Sequence, residues 1–377
     1  MLRRAVVVLS WVLAAGSAGT AAQGISPTTI VIGQSAALTG PALELGTEMR
    51  AGALAYFNAV NARGGVNGRR IELRTLDDGY EPERASANTR RFVELDEAFA
   101  LFGYVGTPTT IAAMPIFTKA GVPLIGPFTG AEAFRRPFNR MIFNVRASYY
   151  AETDKLVDLL ATLKLDRIAV FYQNDSYGKA GLDGVERATK ARGLKIAATA
   201  TVERNTTDVK DAVATLAKVD PQAVVMISAY KSCAAFIKAM KAAGKHPQFL
   251  NVSFVGSKAL ANELGAEGRG VGISQVVPFP WNVGTPVVRD YQRALTAETG
   301  KDNYSFTSLE GYIAAKVLVE GLRRAGRELT REKLVAALET MAEYDAGGFL
   351  VSYAPGDHGG SRYVELTAIG RDGAFVR

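Results

Sequence analysis

Strands alternating with helices along most of the chain predict an α/β fold, built as two doubly wound lobes with helices on both faces of parallel sheets. Two patterns carry that expectation. Short apolar runs recur at intervals: IELRTL from Ile71, FALFGYVG from Phe99, VPLIGPF from Val122, RIAVFYQ from Arg167, KIAATATV from Lys195, AVVMISA from Ala223, QFLNVSFVG from Gln248 and GISQVVPF from Gly272. Between them lie helical stretches, Ala85 to Leu95, Thr109 to Ala120, Glu152 to Leu163, Lys179 to Arg192, Val209 to Ala217 and Lys231 to Ala243.

The chain opens on a leader. Met1 to Ala22 carries Arg3 and Arg4, an apolar core from Ala5 to Ala15 and small residues at Thr20-Ala21-Ala22, the pattern of an export signal cut near Ala22. The core is shorter than the roughly 20 apolar residues a membrane span needs, and no cysteine follows it for a lipid anchor. A soluble, exported protein is expected. Ile30 to Asp78 then reads strand, loop, helix, Gly-rich turn, strand. Its helix shows in the spacing of Met49, Ala53, Phe57 and Val60 on one face. Its loop, Gln34 to Gly46, follows the first strand, where ligands settle in open α/β sheets. Asp77-Asp78 reads as a solvated strand end, because neighbours in a strand point to opposite faces.

Beyond Pro286 come helices, including Phe306 to Arg324 and Thr330 to Met341, then the strand-like GGFLVSY and RYVELTAIGRDGAFV. No Ser/Gly linker or low-complexity tract separates the halves, so strands crossing between the lobes should join them. The expected crossings are Ile142 to Arg146, Gln275 to Pro280 and Gly348 to Tyr353. They give one lobe residues 25–144 with 280–349 and the other residues 145–279 with 350–377.

With 377 residues, 48% hydrophobic and 21% charged, the chain can fill two cores. The net charge of +7 falls to +5 without Arg3 and Arg4, and its basic residues are scattered without interleaved aromatics, which argues against nucleic acid. The lone Cys233 makes no internal disulfide and reads as a small buried apolar residue. His246 and His358 stand in turn-like contexts with no metal-ligand spacing, and no nucleophile elbow or phosphate loop occurs. These absences point away from an enzyme, a metal or a cofactor.

Polar residues gather instead at strand-to-helix junctions. Gly106-Thr107-Pro108 reads as a threonine cap with proline in the first turn, and Phe128-Thr129-Gly130-Ala131 ends the next strand. Side by side, the two ends would offer backbone N–H groups and two hydroxyls to one small anion such as a carboxylate.

The order and spacing of several phrases resemble the solute-binding proteins of branched-chain amino acid type ABC importers. They are Leu38-Thr39-Gly40-Pro41, Asn61-Ala62-Arg63-Gly64-Gly65-Val66-Asn67-Gly68, Asp77-Asp78, Gly103 to Thr110, Gly126 to Ala131, Asp175-Ser176-Tyr177-Gly178, Tyr230 and Phe254-Val255-Gly256. The resemblance spans the chain from Ile30 to the final hairpin. It implies a type I periplasmic binding fold, two α/β lobes joined by three hinge crossings, in a monomer of the periplasm. It also implies hinge closure on a small-molecule ligand and docking on a membrane permease driven by an ATPase. A ligand-binding sensor of the same fold is the alternative.

The resemblance implies a site as well. Thr107 and the loop Phe128, Thr129 and Gly130 would hold the ligand carboxylate, with Thr129 one place before the family's usual threonine position, which Gly130 occupies. Leu45 would cover the ligand side chain, Tyr177 and Tyr230 would wall it from the second lobe, and Tyr149 would close over the anion. Amino acid binders of the family place an acid where this chain has Ser253, ahead of Phe254. Without it a ligand ammonium has no partner, so an aromatic or short-chain carboxylate, or an amide, is expected rather than leucine, isoleucine or valine. Glu310 reads as a cap at a helix start, where acids are favoured, with the alternative that it supplies the missing charge.

Overall fold

The structure is a computed structural model that describes residues 24–95 and 98–377. The leader at Met1 to Ala22 lies outside the described residues. From Thr29 the chain runs β1 (Thr29–Ala36), α1 (Leu43–Asn61), β2 (Arg70–Asp77), α2 (Pro82–Glu94), β3 (Ala100–Phe102), α3 (Thr107–Lys119), β4 (Leu124–Ile125) and β5 (Ile142–Phe143). A second series follows: α4 (Tyr149–Thr162), β6 (Ile168–Gln173), α5 (Ser176–Ala191), β7 (Ile196–Val202), α6 (Lys210–Lys218), β8 (Ala223–Ile227), α7 (Tyr230–Ala242), β9 (Gln248–Asn251), α8 (Ser257–Leu264) and β10 (Gly272–Gln275). The chain then forms α9 (Pro286–Thr299), α10 (Phe306–Ala325), α11 (Arg331–Glu339), β11 (Tyr344–Asp345), β12 (Leu350–Ala354) and β13 (Asp357–Gly360), and ends in β14 (Glu365–Ile369) and β15 (Phe375–Val376).

The first series makes a five-stranded parallel sheet in the order β2-β1-β3-β4-β5. The second makes a seven-stranded sheet, β15-β14-β10-β9-β8-β6-β7, parallel from β6 to β10. In each, the winding reverses after the first strand, between β1 and β3 and again between β6 and β8. At such a switch point the carboxyl ends of the strands open a crevice. Central β8, AVVMI, is buried along its whole length, as a strand covered on both faces must be. Edge strand β7, IAATATV, alternates instead. The thiol of Cys233 is buried, donates to the Ser228 carbonyl at 3.4 Å, and is pushed up by burial.

Two expectations change. The sheets are not wholly parallel, because β14 and β15 add to the second sheet antiparallel. The third crossing is not at Gly348 to Tyr353: LVSYA alternates in burial and pairs as β12 with β11 and β13, in a three-stranded antiparallel sheet. The chain passes to the seven-stranded sheet only after β13, at residues 361–364. The other two passages lie at residues 144–148 and 276–285. The first and third run side by side, with Asn144 N–H donating to the His358 carbonyl at 3.0 Å and Ser361 N–H to the Val145 carbonyl at 2.9 Å. The Tyr353 hydroxyl adds a bond to the Asn144 carbonyl at 2.7 Å.

The strand end Asp77-Asp78 is a clamp rather than a solvated tip. Asp77 accepts from Leu38 N at 2.8 Å, Thr39 N at 3.2 Å, Thr39 Oγ1 at 2.6 Å and Gly79 N at 2.9 Å, and pairs with Arg84 at 2.7 Å. Asp78, only 1% exposed, accepts from Ser35 Oγ at 2.6 Å and Tyr80 N at 2.8 Å. Opposite directions at one strand end thus let Asp77 fasten the β1–α1 loop while Asp78 ties the end of β1 to the turn after β2. Burial works against the charge on Asp77, but the bonds from Thr39, Leu38, Gly79 and Arg84 outweigh it and hold its pKa at about 2. Burial pushes Asp78 up to about 6.

The two titrations have opposite signs. The folded-state pKa of Asp77 is depressed, so its contribution is full above the ordinary carboxylate range and is lost as pH falls from about 4 to about 2. That of Asp78 is raised, so ionising it as pH climbs from about 4 through about 6 subtracts stability. Asp77→Ala should cost about 1–3 kcal/mol in denaturant unfolding at neutral pH, with the difference from wild type shrinking toward pH ~2. An unshifted neutral-pH midpoint would mean that the loop is held by something else.

Candidate functional site

Short junctions at the two switch points bring the expected residues to one place. Thr107 is the first residue of α3, after β3, and Gly106 rather than Thr107 is the cap. Gly106 holds φ at 100°, in the left-handed region, and the Tyr80 ring packs where a side chain would stand. Thr107 is thereby spared capping, and its Oγ1 lies 2.7 Å from Thr129 Oγ1, with both residues fully buried. Gly130 explains why threonine sits one place early. A Cβ there would lie 2.7 Å from the Tyr149 ring, and Tyr149 N–H donates to the Gly130 carbonyl at 2.7 Å.

From the second sheet, Tyr177 enters in the first turn of α5, capped by Asp175, and Tyr230 begins α7 just beyond β8. Ser253 and Phe254 lie in a single 3₁₀ turn, Ser253–Val255. The Phe254 ring is 4.6 Å from Tyr177, 5.2 Å from Phe128 and 6.0 Å from Tyr80, while Tyr149 is 5.5 Å from Tyr177. Leu45 packs on Gly256 beside the Tyr230 ring. Tyr230 is 2% exposed. The hydroxyls of Tyr149, Tyr177 and Tyr230 are buried without hydrogen-bond partners among the described residues. The structure thus brings Thr107 to Thr129, Phe128 and Tyr177 to Phe254, and Tyr149 to Tyr177 and Gly130, while Leu45 meets Tyr230 at Gly256.

Sequence reasoning missed the charge at the centre. Arg146, in the first crossing, is fully buried, with its guanidinium 5.2 Å over the Phe128 ring and 5.8 Å from the Tyr149 ring. Its Nη2 donates to Glu152 Oε1 at 2.9 Å and to the Ser253 hydroxyl. Its Nη1 is 3.5 Å from Glu310 Oε1, and neither Nη1 nor Nε has a hydrogen-bond partner among the described residues. Burial works against this charge, but Glu310 and Glu152 outweigh it and hold the guanidinium above its ordinary range. Glu152 also accepts from Ser253 N at 2.8 Å and Ser274 Oγ at 2.6 Å. Glu310 is no cap: Ser305 caps α10, and Glu310, 4% exposed, is pushed up to about 7 by burial, against the pull of Arg146. An arginine within the apolar crossing Ile142 to Arg146 was the available signal.

Polar contacts flank this centre on both sides. Arg204 pairs with Glu81 at 2.8 Å, and Asn205 Nδ2 donates to the Gly79 carbonyl at 3.0 Å and to Glu81 at 2.7 Å. Gln173 Nε2 donates to the Tyr80 hydroxyl at 3.1 Å. On the other flank Lys258 reaches Asn303 and the Tyr304 carbonyl. The switch-point surfaces are thus shut against each other. A cavity of about 840 Å³ lies apart from them, against the first and third crossings, lined by Arg135, Phe138, Asn144, His358 and Arg362 among others. Among the described residues no cluster of His, Cys, Asp and Glu suits a metal ion, and no helix is long and apolar enough to cross a membrane.

Two α/β units wound alike, facing each other across their switch points and joined by three passages, define the type I periplasmic binding architecture. A family model described as periplasmic binding protein matches residues 29–374, and the chain belongs to that family, in its branched-chain amino acid type. A possible leucine/isoleucine/valine-binding protein from Rhodopirellula baltica is similar at 36% identity and TM-score 0.88, over 95% of this chain and 98% of that one. A substrate-binding periplasmic protein from Ralstonia solanacearum is similar at 37% identity and TM-score 0.87, over 92% and 99%. The leucine-, isoleucine-, valine-, threonine- and alanine-binding protein of Pseudomonas aeruginosa is 25% identical over 322 residues, 85% of each chain.

The flanking contacts give a direct test of closure. Replacing Arg204 and Asn205 together by alanine should cost the shut form about 1–3 kcal/mol, since these are charge-assisted bonds in a partly buried setting. Small-angle scattering of the ligand-free double variant should show a larger radius of gyration than wild type. Identical scattering curves would show that these bonds do not hold the cleft shut.

Proposed function

We propose that the protein is exported and captures a small carboxylate-type solute without an α-ammonium group by closing its two lobes. It then delivers the solute to the permease and ATPase of an ABC importer. The observation that carries this reading is Arg146, a guanidinium buried between the two halves beside the hydroxyl pair Thr107 and Thr129, whose Nε has no hydrogen-bond partner among the described residues and whose Nη1 has only the 3.5 Å contact to Glu310.

The chemistry runs from the first sheet outward. With the lobes apart, a carboxylate meets the Thr107 and Thr129 hydroxyls and the free amides at the start of α3, where the helix dipole favours an anion. Bending at the crossings brings Tyr177, Tyr230 and Phe254 over the apolar body of the ligand. The hydroxyls of Tyr149, Tyr177 and Tyr230 then have an acceptor to serve. Solute favours the shut form only by its extra affinity for that form.

The names of the relatives bring branched aliphatic amino acids to mind, and Leu45, Phe128 and Phe254 suit such a body. The polar end argues otherwise. Where an ammonium would need an acid, Ser253 takes a hydrogen bond from Arg146, and Glu152 is already committed to Arg146, Ser253 and Ser274. An ammonium there would face a guanidinium, at a cost of several kcal/mol. A carbonyl, hydroxyl or second carboxylate in its place would accept from Arg146. Aromatic acids and keto acids therefore fit, and a neutral amide fits the hydroxyls alone.

A thermal-shift screen tests this with leucine, the keto acid of leucine, phenylacetate, succinate and acetamide. Ligand at about 100 times its dissociation constant adds about 2.7 kcal/mol of stability, enough to read. The largest shift should come from an acid without an amino group; leucine at the top would instead assign Glu310 as its ammonium partner and sink the reading. With the best acid, Thr107→Val should weaken binding at least tenfold, about 1.4 kcal/mol, while unfolding at the wild-type temperature. Wild-type affinity in that variant would move the carboxylate seat elsewhere.

A further inference from the structure

One guanidinium and two carboxylates meet in a place nearly closed to water. Arg146, Glu152 and Glu310 are 0%, 0% and 4% exposed, with the two acids 2.9 and 3.5 Å from the same arginine. With both acids ionised the group carries one uncompensated negative charge. Glu152 accepts three hydrogen bonds, from Arg146 Nη2, Ser253 N and Ser274 Oγ. Glu310 has only the longer contact to Arg146 Nη1. An anionic ligand drawn to Nε and Nη1 of Arg146 must share this space with Glu310. Two like charges within a few ångström of each other in a buried site cannot both stay ionised cheaply.

We propose that Glu310 takes up a proton when an anionic solute binds, so that the cleft captures a carboxylate together with one proton. This rests on the carboxylate reading above and extends it to the regulation of the same site. The step moves one proton from solvent to a Glu310 carboxylate oxygen, and no covalent bond of the solute changes. The Arg146 nitrogen nearest Glu310 is released to the ligand, and the charge in the cleft is the same before and after binding. The burial of Glu310 already lifts it to about 7 without ligand, so the proton is available near neutrality.

The surroundings leave Glu310 as the group that responds. Facing it are Arg146 from the crossing and Glu152 from α4, with Tyr149 beside Arg146. On α1, which packs along α10, Glu48 is also lifted to about 7 by burial, but it bonds Ser305 and interacts with Lys258 of α8 and Glu44. From α9, Asp290 acts on Tyr312 and Lys316 further along α10, and α11 meets α10 through Leu334 and Leu338 at Gly321. Glu48 is therefore the control, a half-buried acid on the same helix pair that bonds Ser305 rather than Arg146.

The sign follows from linkage. A ligand that raises the pKa of Glu310 binds best where Glu310 is already protonated. Affinity should be flat below about pH 6 and fall above pH ~7 by up to about tenfold per pH unit for one linked proton. The test is titration calorimetry with phenylacetate and the keto acid of leucine between pH ~6 and ~8.5, in buffers of different ionisation enthalpy. Wild type should take up close to one proton at about pH 8. Glu310→Gln should lose both the uptake and the pH slope, while Glu48→Gln keeps them. Binding with no proton uptake, or a slope that survives in Glu310→Gln, overturns the proposal. A second measurement needs no ligand: beside the bands of Glu48 and Asp78, infrared difference spectra of wild type should show a protonated-carboxyl band that disappears between pH ~6 and ~8, is missing in Glu310→Gln and is kept in Glu48→Gln. Absence of that band from wild type also overturns it. If neither acid binds while the band is present, the carboxylate reading fails and the titrating Glu310 stands.

Discussion

A guanidinium cannot be buried without partners, and the partners of Arg146 come from both halves of the molecule. The arginine sits on the strand passage itself. Glu310 reaches it from α10 and Phe128 from the loop after β4, while Glu152 and Ser253 reach it from α4 and the 3₁₀ turn beyond β9. Removing one member of such a cluster leaves an unpaired buried charge, which costs about 3–5 kcal/mol. The position of the two sheets relative to each other is therefore tied to a single charged side chain. The ring contacts of Phe254 with Phe128, Tyr80 and Tyr177 add apolar surface around the same point.

The junctions around this centre obey one local rule. At each switch point a parallel strand ends, a turn of a few residues follows, and a helix or 3₁₀ turn begins with its N–H groups facing the other sheet. Thr107, Tyr177 and Tyr230 all stand in first turns of helices for this reason. Rigidity comes from behind. Asp77 fastens the β1–α1 loop and Asp78 the end of β1, Asp175 caps α5 while holding Gln173, and the Tyr80 ring lies against Gly106. A small solute then meets groups whose positions are already fixed, which reduces the ordering cost of binding.

Much of this was legible along the chain, and the exceptions share a cause. Alternating apolar runs and helical spacings marked nearly every element, and the junctions at Thr107, Thr129, Tyr177 and Tyr230 stood out because small or aromatic polar residues follow strands. GGFLVSY reads equally as a crossing or as a strand of a small sheet, and only its pairing with β11 and β13 decides. Asp77-Asp78 looked solvated because a strand end is normally wet, whereas the neighbouring loop folds back over it. Glu310 looked like a cap because it stands near a helix start, yet its side chain turns inward to an arginine more than 160 residues earlier in the sequence.

By itself the sequence determined the α/β class, the two-unit organisation and the polar strand ends, because these follow from periodicity and from the preferences of residues for local backbone shapes. The tertiary structure alone decided which charges meet. Ser253 and Glu310 lie far along the chain from Arg146 and Glu152, and no local pattern records that burial will press the four together. Electrostatics in a dry interior acts on distance through space, so the character of the cleft, one arginine shared by two acids, emerges only once the fold has set those distances.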